Sequence, residues 1–381
     1  MNCMTNSAAI TEDKDWFTIK NVDQLDSPAL VFYPDRIADN MTILKNSIDD
    51  IDRLRPHVKT HKSAAVCLLM LEAGISKFKC ATIAEAEMLG SCLAPDVLLA
   101  YQPVGPKIDR LIALIRKFPA TLFSCLVDNQ VSLRELSIAA EEAGIKIPVY
   151  LDLNVGMNRT GIQPGVQALD LYKRLLLTGG LQLMGIHAYD GHIHDAEIER
   201  RKSQWQLVWD DMLDFKKNIA ELHLPEPVIV AGGTPTYPFY AAQQQIECSP
   251  GTFILWDKGY QDAFTEQNYL TSALVISRVI SLAGDNRITL DLGHKAVAAE
   301  NELANRVYFL NAPDAIMIGQ SEEHLVIELK VDHGFAIGDV LYGLPIHICP
   351  TVALHAYAYT VYNHHFTDEW KITSRDRKIT I

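Results

Sequence analysis

Between residues 57 and 251, short apolar runs of strand type alternate with amphipathic stretches of helical type, and this alternation constrains the fold more than any other feature of the chain. The strand-like runs are 57–61, 78–83, 96–101, 121–127, 147–153, 181–189, 227–233 and 245–251. Helical periodicity occupies 106–118, 131–143, 166–178 and a long run near 197–222. Eight strand–helix units in about 200 residues fit a (β/α)8 TIM barrel. A doubly wound open sheet shares the alternation, but the strand count favours the barrel. In either architecture, functional groups belong at the C-terminal ends of the strands.

The flanks differ in texture. Residues 27–34, SPALVFYP, read as a short buried strand bounded by prolines, followed by a helical face of Ile37, Met41, Leu44 and Ile48. After about residue 265 the runs 271–283, 287–293, 315–320, 324–330, 339–347 and 357–366 are strand-like, with turn residues between them. The expected organisation is an N-terminal segment 1–26, a strand 27–34 that joins the β domain, a barrel over 35–262 and a mostly-β domain over 263–381.

A formal charge of −13 argues against a nucleic-acid or anionic-membrane partner. The seven cysteines are odd in number and lack CxxC spacing, and several lie in apolar runs, as reduced core thiols do. The opening MNCMTNSAAITEDKD has no charged segment followed by an apolar one, so no signal peptide is read there. No apolar run approaches the roughly 20 residues that span a bilayer. These features together point to a soluble cytoplasmic protein.

Chemistry concentrates at predicted strand ends. In RPHVKTHK (55–62), His57, Lys59 and His61 at spacing two share one face of a strand. A solvated basic strand end would look the same, but an amine among imidazoles, leading into an apolar stretch, suits Schiff-base formation. GMNRTG (156–161), AGGTPTY (231–237) and SPGTF (249–253) are glycine turns after strands. Gly232, Gly233, Thr234, Gly251 and Thr252 carry backbone N–H groups and hydroxyls suited to a phosphate. Arg159 is either an exposed structural arginine or a fixed cation facing a ligand heteroatom. His187, Tyr189 and His192 cluster after another strand and suggest a pocket. His347 and Cys349 in LPIHICPT share a strand face as a zinc-type ligand pair, and so sparse a set leaves open positions for a catalytic ion.

As an ordered set, RPHVKTHK after a TPALV-like strand, GMNRTG, AGGTPT, SPGTF and HICPT resemble the D-threonine aldolase and D-serine dehydratase family. That family belongs to the fold-type III, alanine racemase-like pyridoxal-phosphate enzymes. The match runs from about residue 25 to residue 365. The resemblance implies a barrel that binds pyridoxal 5'-phosphate, a β domain built from the C-terminal part with the N-terminal strand, and a homodimer. In that dimer the partner's β domain helps close each active site.

By position, the resemblance makes Lys59 the Schiff-base lysine and Arg159 the residue facing the pyridine nitrogen. Gly232, Gly233, Thr234, Gly251 and Thr252 match the phosphate cradle, with His57 and Tyr189 also beside the cofactor. His347 and Cys349 match the pair that holds a divalent metal, zinc first and manganese or magnesium as alternatives. The implied activity is a metal-assisted lyase reaction on small 3-hydroxy-D-amino acids, with His187 or His192 as a further base. Cys349 leans towards dehydration of D-serine or 3-hydroxyaspartate, because aldolases of D-threonine more often carry aspartate there. The competing readings are a metal-independent amino-acid racemase, a non-catalytic pyridoxal-phosphate carrier and a structural zinc domain.

Overall fold

A computed structural model describes residues 14–381; residues 1–13, with Cys3 and most of the stretch read as lacking a signal peptide, lie outside the described residues. Seven parallel strands hydrogen-bond in chain order: β2 (Lys77–Cys80), β3 (Asp96–Leu99), β4 (Leu122–Val127), β5 (Ile147–Leu153), β6 (Leu181–Ala188), β7 (Val228–Ala231) and β8 (Ile246–Cys248). Residues 54–57 join the two edges. Leu54 bridges to Cys248 and His57 to Lys79, both in parallel sense. The Arg55 N–H reaches the Cys248 carbonyl at 2.9 Å, and the Lys79 N–H reaches the Pro56 carbonyl at 2.8 Å. A sheet whose edges share a neighbour is closed, so the barrel holds and the open doubly wound alternative does not.

Two of the helices show how an apolar stripe is turned inward. α1 (Pro34–Asn46) starts on a proline at its first turn and buries Ile37, Met41 and Leu44; it ends before Ile48. The longest, α7 (Ile198–Glu221), buries Trp205, Val208, Met212, Phe215 and Ile219 at spacings of three and four. All seven residues of β5 are buried, as expected for a strand covered on both faces.

The second sheet is mostly antiparallel and is threaded by the start of the chain. β1 (Ala29–Phe32) lies between β9 (Ala273–Leu282), antiparallel, and β15 (Tyr357–Tyr362), parallel. Leu30, Val31 and Phe32 are fully buried there, each contributing roughly 1.5–3 kcal/mol by leaving water. The remaining strands are β10 (Arg287–Leu290), β11 (Val307–Phe309), β12 (Ile316–Gln320), β13 (Leu325–Glu328), β14 (Val340–Pro345) and β16 (His365–Lys371).

Three local readings are corrected. The run 57–61 is not a strand: it pairs only at its start and then turns, with the Lys62 N–H on the Val58 carbonyl at 2.9 Å and Lys62 at φ 51°. The run 357–366 is two strands, because Asn363 and His364 both take positive φ, 48° and 62°, and fold it into a hairpin. The segment after His347 is not a strand but a helix, α10 (Ile348–Leu354), with His347 at its N-cap.

Candidate active site

The turn after His57 aims Lys59 into a cleft at the C-terminal end of the barrel. The cleft has two chambers that share His57, Lys59, Lys79 and Tyr189. The larger, about 440 Å³, suits a cofactor-sized ligand. His57 accepts the Lys59 backbone N–H on Nδ1 at 3.2 Å. Burial and the charges of Lys59 and Lys79 hold its imidazole well below the usual histidine range. His61 does not share this face. Once the chain turns, its ring is fully buried, Nδ1 takes the Ser63 N–H at 3.2 Å, and burial lowers its pKa to about 3.

The larger chamber is walled by the turns after β7 and β8, with Gly233, Thr234, Ser249, Gly251 and Thr252 on its surface. The N–H groups of Gly251 and Thr252 converge on Thr234 Oγ1, each at 3.0 Å, so two donors point at one acceptor position. A Cβ on Gly251 would stand 3.1 Å from the His57 carbonyl oxygen, so a side chain there would push this turn and the Lys59 segment apart by a few tenths of an ångström. Gly232 is set apart from the other cradle residues. At φ 79° it makes the turn and packs under Tyr240, away from the chamber surface.

The other chamber is lined by Gln102, Arg159, Thr160 and His187. The Arg159 guanidinium lies 4.9 Å from the Tyr189 ring centroid, with Lys79 Nζ at 5.4 Å and Lys59 Nζ at 5.7 Å, so three basic groups gather around one aromatic ring. Asp152 accepts from His187 Nδ1 at 2.7 Å and from Gln102 at 2.8 Å. Burial acts to raise the Asp152 carboxyl, but these hydrogen bonds outweigh it and hold the pKa below its ordinary value. The group is therefore a carboxylate and His187 Nδ1 donates. Burial and the Lys79 charge depress His187, leaving a neutral ring whose Nε2 is buried without a partner.

His192 is outside this arrangement. It is exposed and covers Gly156, where a Cβ would come within 2.7 Å of its Nε2; His194, two residues on, borders the larger chamber instead.

The β domain supplies the rim. His347 and the first turn of α10 bring His347 and Cys349 close enough to share a hydrogen bond. Cys349 Sγ lies 3.3 Å from Thr60 Oγ1, beside Lys59, and His347 Nδ1 contacts Glu300 Oε1 at 2.6 Å. Burial alone would lower His347, but Cys349 and Glu300 raise it to about 9. Burial likewise opposes ionisation of Cys349, yet His347 pulls its pKa below the ordinary thiol value. A thiolate beside an imidazole is a soft divalent-ion donor pair. Among the described residues no group of three or more His, Cys, Asp or Glu is arranged to hold a metal, so the pair leaves most of an ion's coordination open.

The donor set fits a polar cofactor. Lys79 Nζ, His187 Nε2 and Ser249 Oγ are buried cavity-wall atoms without partners, each costing roughly 1–3 kcal/mol until a ligand meets it. Sequence reasoning passed over Lys79, Asp152, Ser249, His194 and Glu300. The signals for Lys79 and Asp152 were present, a charge inside FKC and another inside VYLDL, each in an otherwise apolar strand.

A closed parallel barrel with a lysine facing a glycine–threonine cradle, joined to a β domain threaded by the N-terminal strand, defines the alanine racemase-like architecture. Residues 33–257 match the alanine racemase N-terminal domain and residues 272–361 a serine dehydratase domain; the chain belongs to the alanine racemase N-terminal domain family. It is 26% identical over 360 residues to a D-threonine aldolase of Arthrobacter sp, covering 92% of this chain and 93% of the relative. It is 23% identical over 352 residues to the D-threo-3-hydroxyaspartate dehydratase of Delftia sp. (strain HT23), covering 86% and 92%. A mutant of that dehydratase has been solved in a metal-free form, with a TM-score of 0.81 at 22% identity, covering 91% of this chain and 97% of that one. The crystal structure of D-threonine aldolase from Filomicrobium marinum has the same fold, with a TM-score of 0.84 at 24% identity, covering 92% and 95%.

Proposed function

We propose that the chain is a pyridoxal-phosphate- and divalent-metal-dependent lyase acting on 3-hydroxy-D-amino acids. The observation that carries this reading is the meeting of Lys59, from the barrel, with the His347–Cys349 pair, from the β domain, across Thr60. The relatives that span most of the chain are named as enzymes of such substrates.

Lys59 would hold the cofactor covalently. Gly233, Thr234, Ser249, Gly251 and Thr252 would hold its phosphate, with Gly232 making the turn behind them. Arg159 and Tyr189 would border its ring, Arg159 at the pyridine nitrogen, and His57 would pack beside the linkage. His347 and Cys349 would hold the ion, zinc before manganese or magnesium, with Glu300 orienting the imidazole through Nδ1. Bound there, pyridoxal phosphate supplies an electron sink and the ion polarises the substrate's 3-hydroxyl.

The chain's own groups handle protons and orientation. The Lys59 amine would take a proton from the substrate's Cα, and the bare Nε2 of His187 is an acceptor held in place by Asp152. His192, on the outer surface, is withdrawn as a base. Cys349 favours elimination to a 2-oxo acid and ammonia over cleavage to glycine and an aldehyde. We further propose a cytoplasmic homodimer whose partner β domain closes the cleft. Among the described residues no helix is long and apolar enough to cross a membrane, and the thiols are free.

The test is product analysis of protein loaded with zinc and pyridoxal phosphate, using D-serine, D-threonine and threo-3-hydroxy-D-aspartate. Ammonia with a 2-oxo acid, lost on chelation, supports the dehydratase. Glycine with an aldehyde makes the protein an aldolase despite Cys349. Neither product, with cofactor still bound at Lys59, rejects the lyase in favour of a racemase or carrier.

A further inference from the structure

Lys79 is the cavity group for which the site so far described has no use. It lies in β2 at 2% exposure, borders both chambers, and its Nζ has no hydrogen-bond partner. An unpaired ammonium is expensive to bury, so such a lysine either stays neutral or awaits an anion. Burial and the Lys59 charge hold its proton loosely in the empty cavity, and an anion seated beside Nζ would restore the ammonium. Facing Lys79 are Lys59 from the turn, Arg159 from the loop after β5, the carboxyls of Asp152 and Asp190, and the neutral rings of His57 and His187. Burial pushes Asp190 up to about 6, so it is mostly ionised near neutrality, and together with Asp152 it offsets the charges of Lys59 and Arg159 without answering that of Lys79.

The order of the barrel strands says where an anion would come from. Segment 54–57, which leads to Lys59, pairs with β8 on one side and with β2 on the other. The cradle belongs to the turns after β7 and β8. Lys79 belongs to β2, with the Val58 N–H on its carbonyl at 2.9 Å. Pyridoxal phosphate carries its aldehyde between two substituents, the phosphate arm and a phenolic oxygen. With the aldehyde carbon on Lys59 and the phosphate on the β8 side, the phenolic oxygen falls on the β2 side. That is where the unpartnered amine stands.

Resting on the reading that this cofactor is carried by Lys59, we propose that Lys79 donates a hydrogen bond to the cofactor's phenolic oxygen and thereby lowers the proton affinity of the Lys59 nitrogen. The oxygen would otherwise accept a hydrogen bond from that nitrogen. An ammonium competing for it makes the proton easier to lose. Lys79 is thus a positioning residue of the cofactor, and its effect reads out in the cofactor's spectrum.

The experiment is a pH titration of the visible absorption of holoprotein for wild type, Lys79→Met, Lys79→Gln and Lys79→Arg. Borohydride reduction and peptide mapping identify the lysine that carries the cofactor. The Met and Gln variants should move the spectral midpoint up by about one pH unit, a tenfold change in proton affinity, while Arg keeps it near wild type. Affinity of apoprotein for pyridoxal phosphate should fall about tenfold in Met and Gln, reflecting a lost charge-assisted hydrogen bond. A normal adduct at Lys59 with an unchanged midpoint in both Met and Gln overturns the role of Lys79 alone. Absence of any adduct in wild type overturns the proposed function and the Lys79 assignment with it.

Discussion

On the barrel side of the cleft, Lys59, Lys79 and Arg159 crowd around Tyr189 while His57 and His187 are held neutral by burial and by those cations. On the β-domain side lies a half-open rim where Cys349 is pulled towards thiolate and His347 sits against Glu300. One wall has surplus positive charge and unfilled donors; the other gathers anionic donors. In the proposed function the first would take a phosphorylated anion and the second a cation. Under the proposed function the difference teaches that the two cofactors would have adjacent but separate seats, one on the barrel and one on the β domain, whose sheet takes in the N-terminal strand β1.

Separate seats predict separable losses. Lys59→Ala should abolish covalent cofactor and cut turnover by ~10³-fold or more, while metal content, read by elemental analysis, stays near wild type. Cys349→Ala should do the reverse. The Lys59 adduct persists, metal is lost, and lyase turnover falls on the order of 10²-fold, with chelated wild type matching the variant. If either substitution empties both seats, the two walls form a single coupled site and the comparison fails. Glu300→Gln is the milder probe of the rim. It keeps the contact to His347 Nδ1 but removes the charge, so metal affinity should fall about tenfold with the cofactor spectrum unmoved.

The barrel wall was more legible in the sequence than the rim, for physical reasons. The short apolar runs 147–153 and 181–189 read as strands because covered parallel strands are apolar along much of their length, and both hold strands in the structure. Lys59 and most of the cradle stand at strand ends, where a local motif is enough to find them. Spacing rules failed where the chain left its regular element. His61 turns inward because the pairing ends at His57, and His194 rather than His192 borders the larger chamber because the segment after β6 is a turn, with the Ile193 N–H on the Asp190 carbonyl at 2.9 Å. His347 and Cys349 do face each other, but from a helix start, so spacing two found the right pair on the wrong element. Glu300 lies 47 residues from its partner, and no local pattern could bring the two together.

Lys79 yields the smallest expected effect and the sharpest test of the barrel wall as an anion seat. Burial, with the Lys59 charge, lowers its pKa from 10.5 to about 7 in the cofactor-free protein. Between those values the unfolded chain binds the proton more tightly than the folded one, so stability rises with pH across the window. Below about 7 both states are protonated and the whole penalty is present; above 10.5 both are neutral and it is gone. Lys79→Met should therefore stabilise apoprotein by at least about 1 kcal/mol at pH 6, in denaturant unfolding, with the gain shrinking towards pH 10. In holoprotein the gain should vanish or reverse, because the bound anion gives the ammonium its partner. A variant that is equally stabilised with and without cofactor would mean that Lys79 is an unpaired core charge, and the floor of the barrel would lose its claim to be built for an anion.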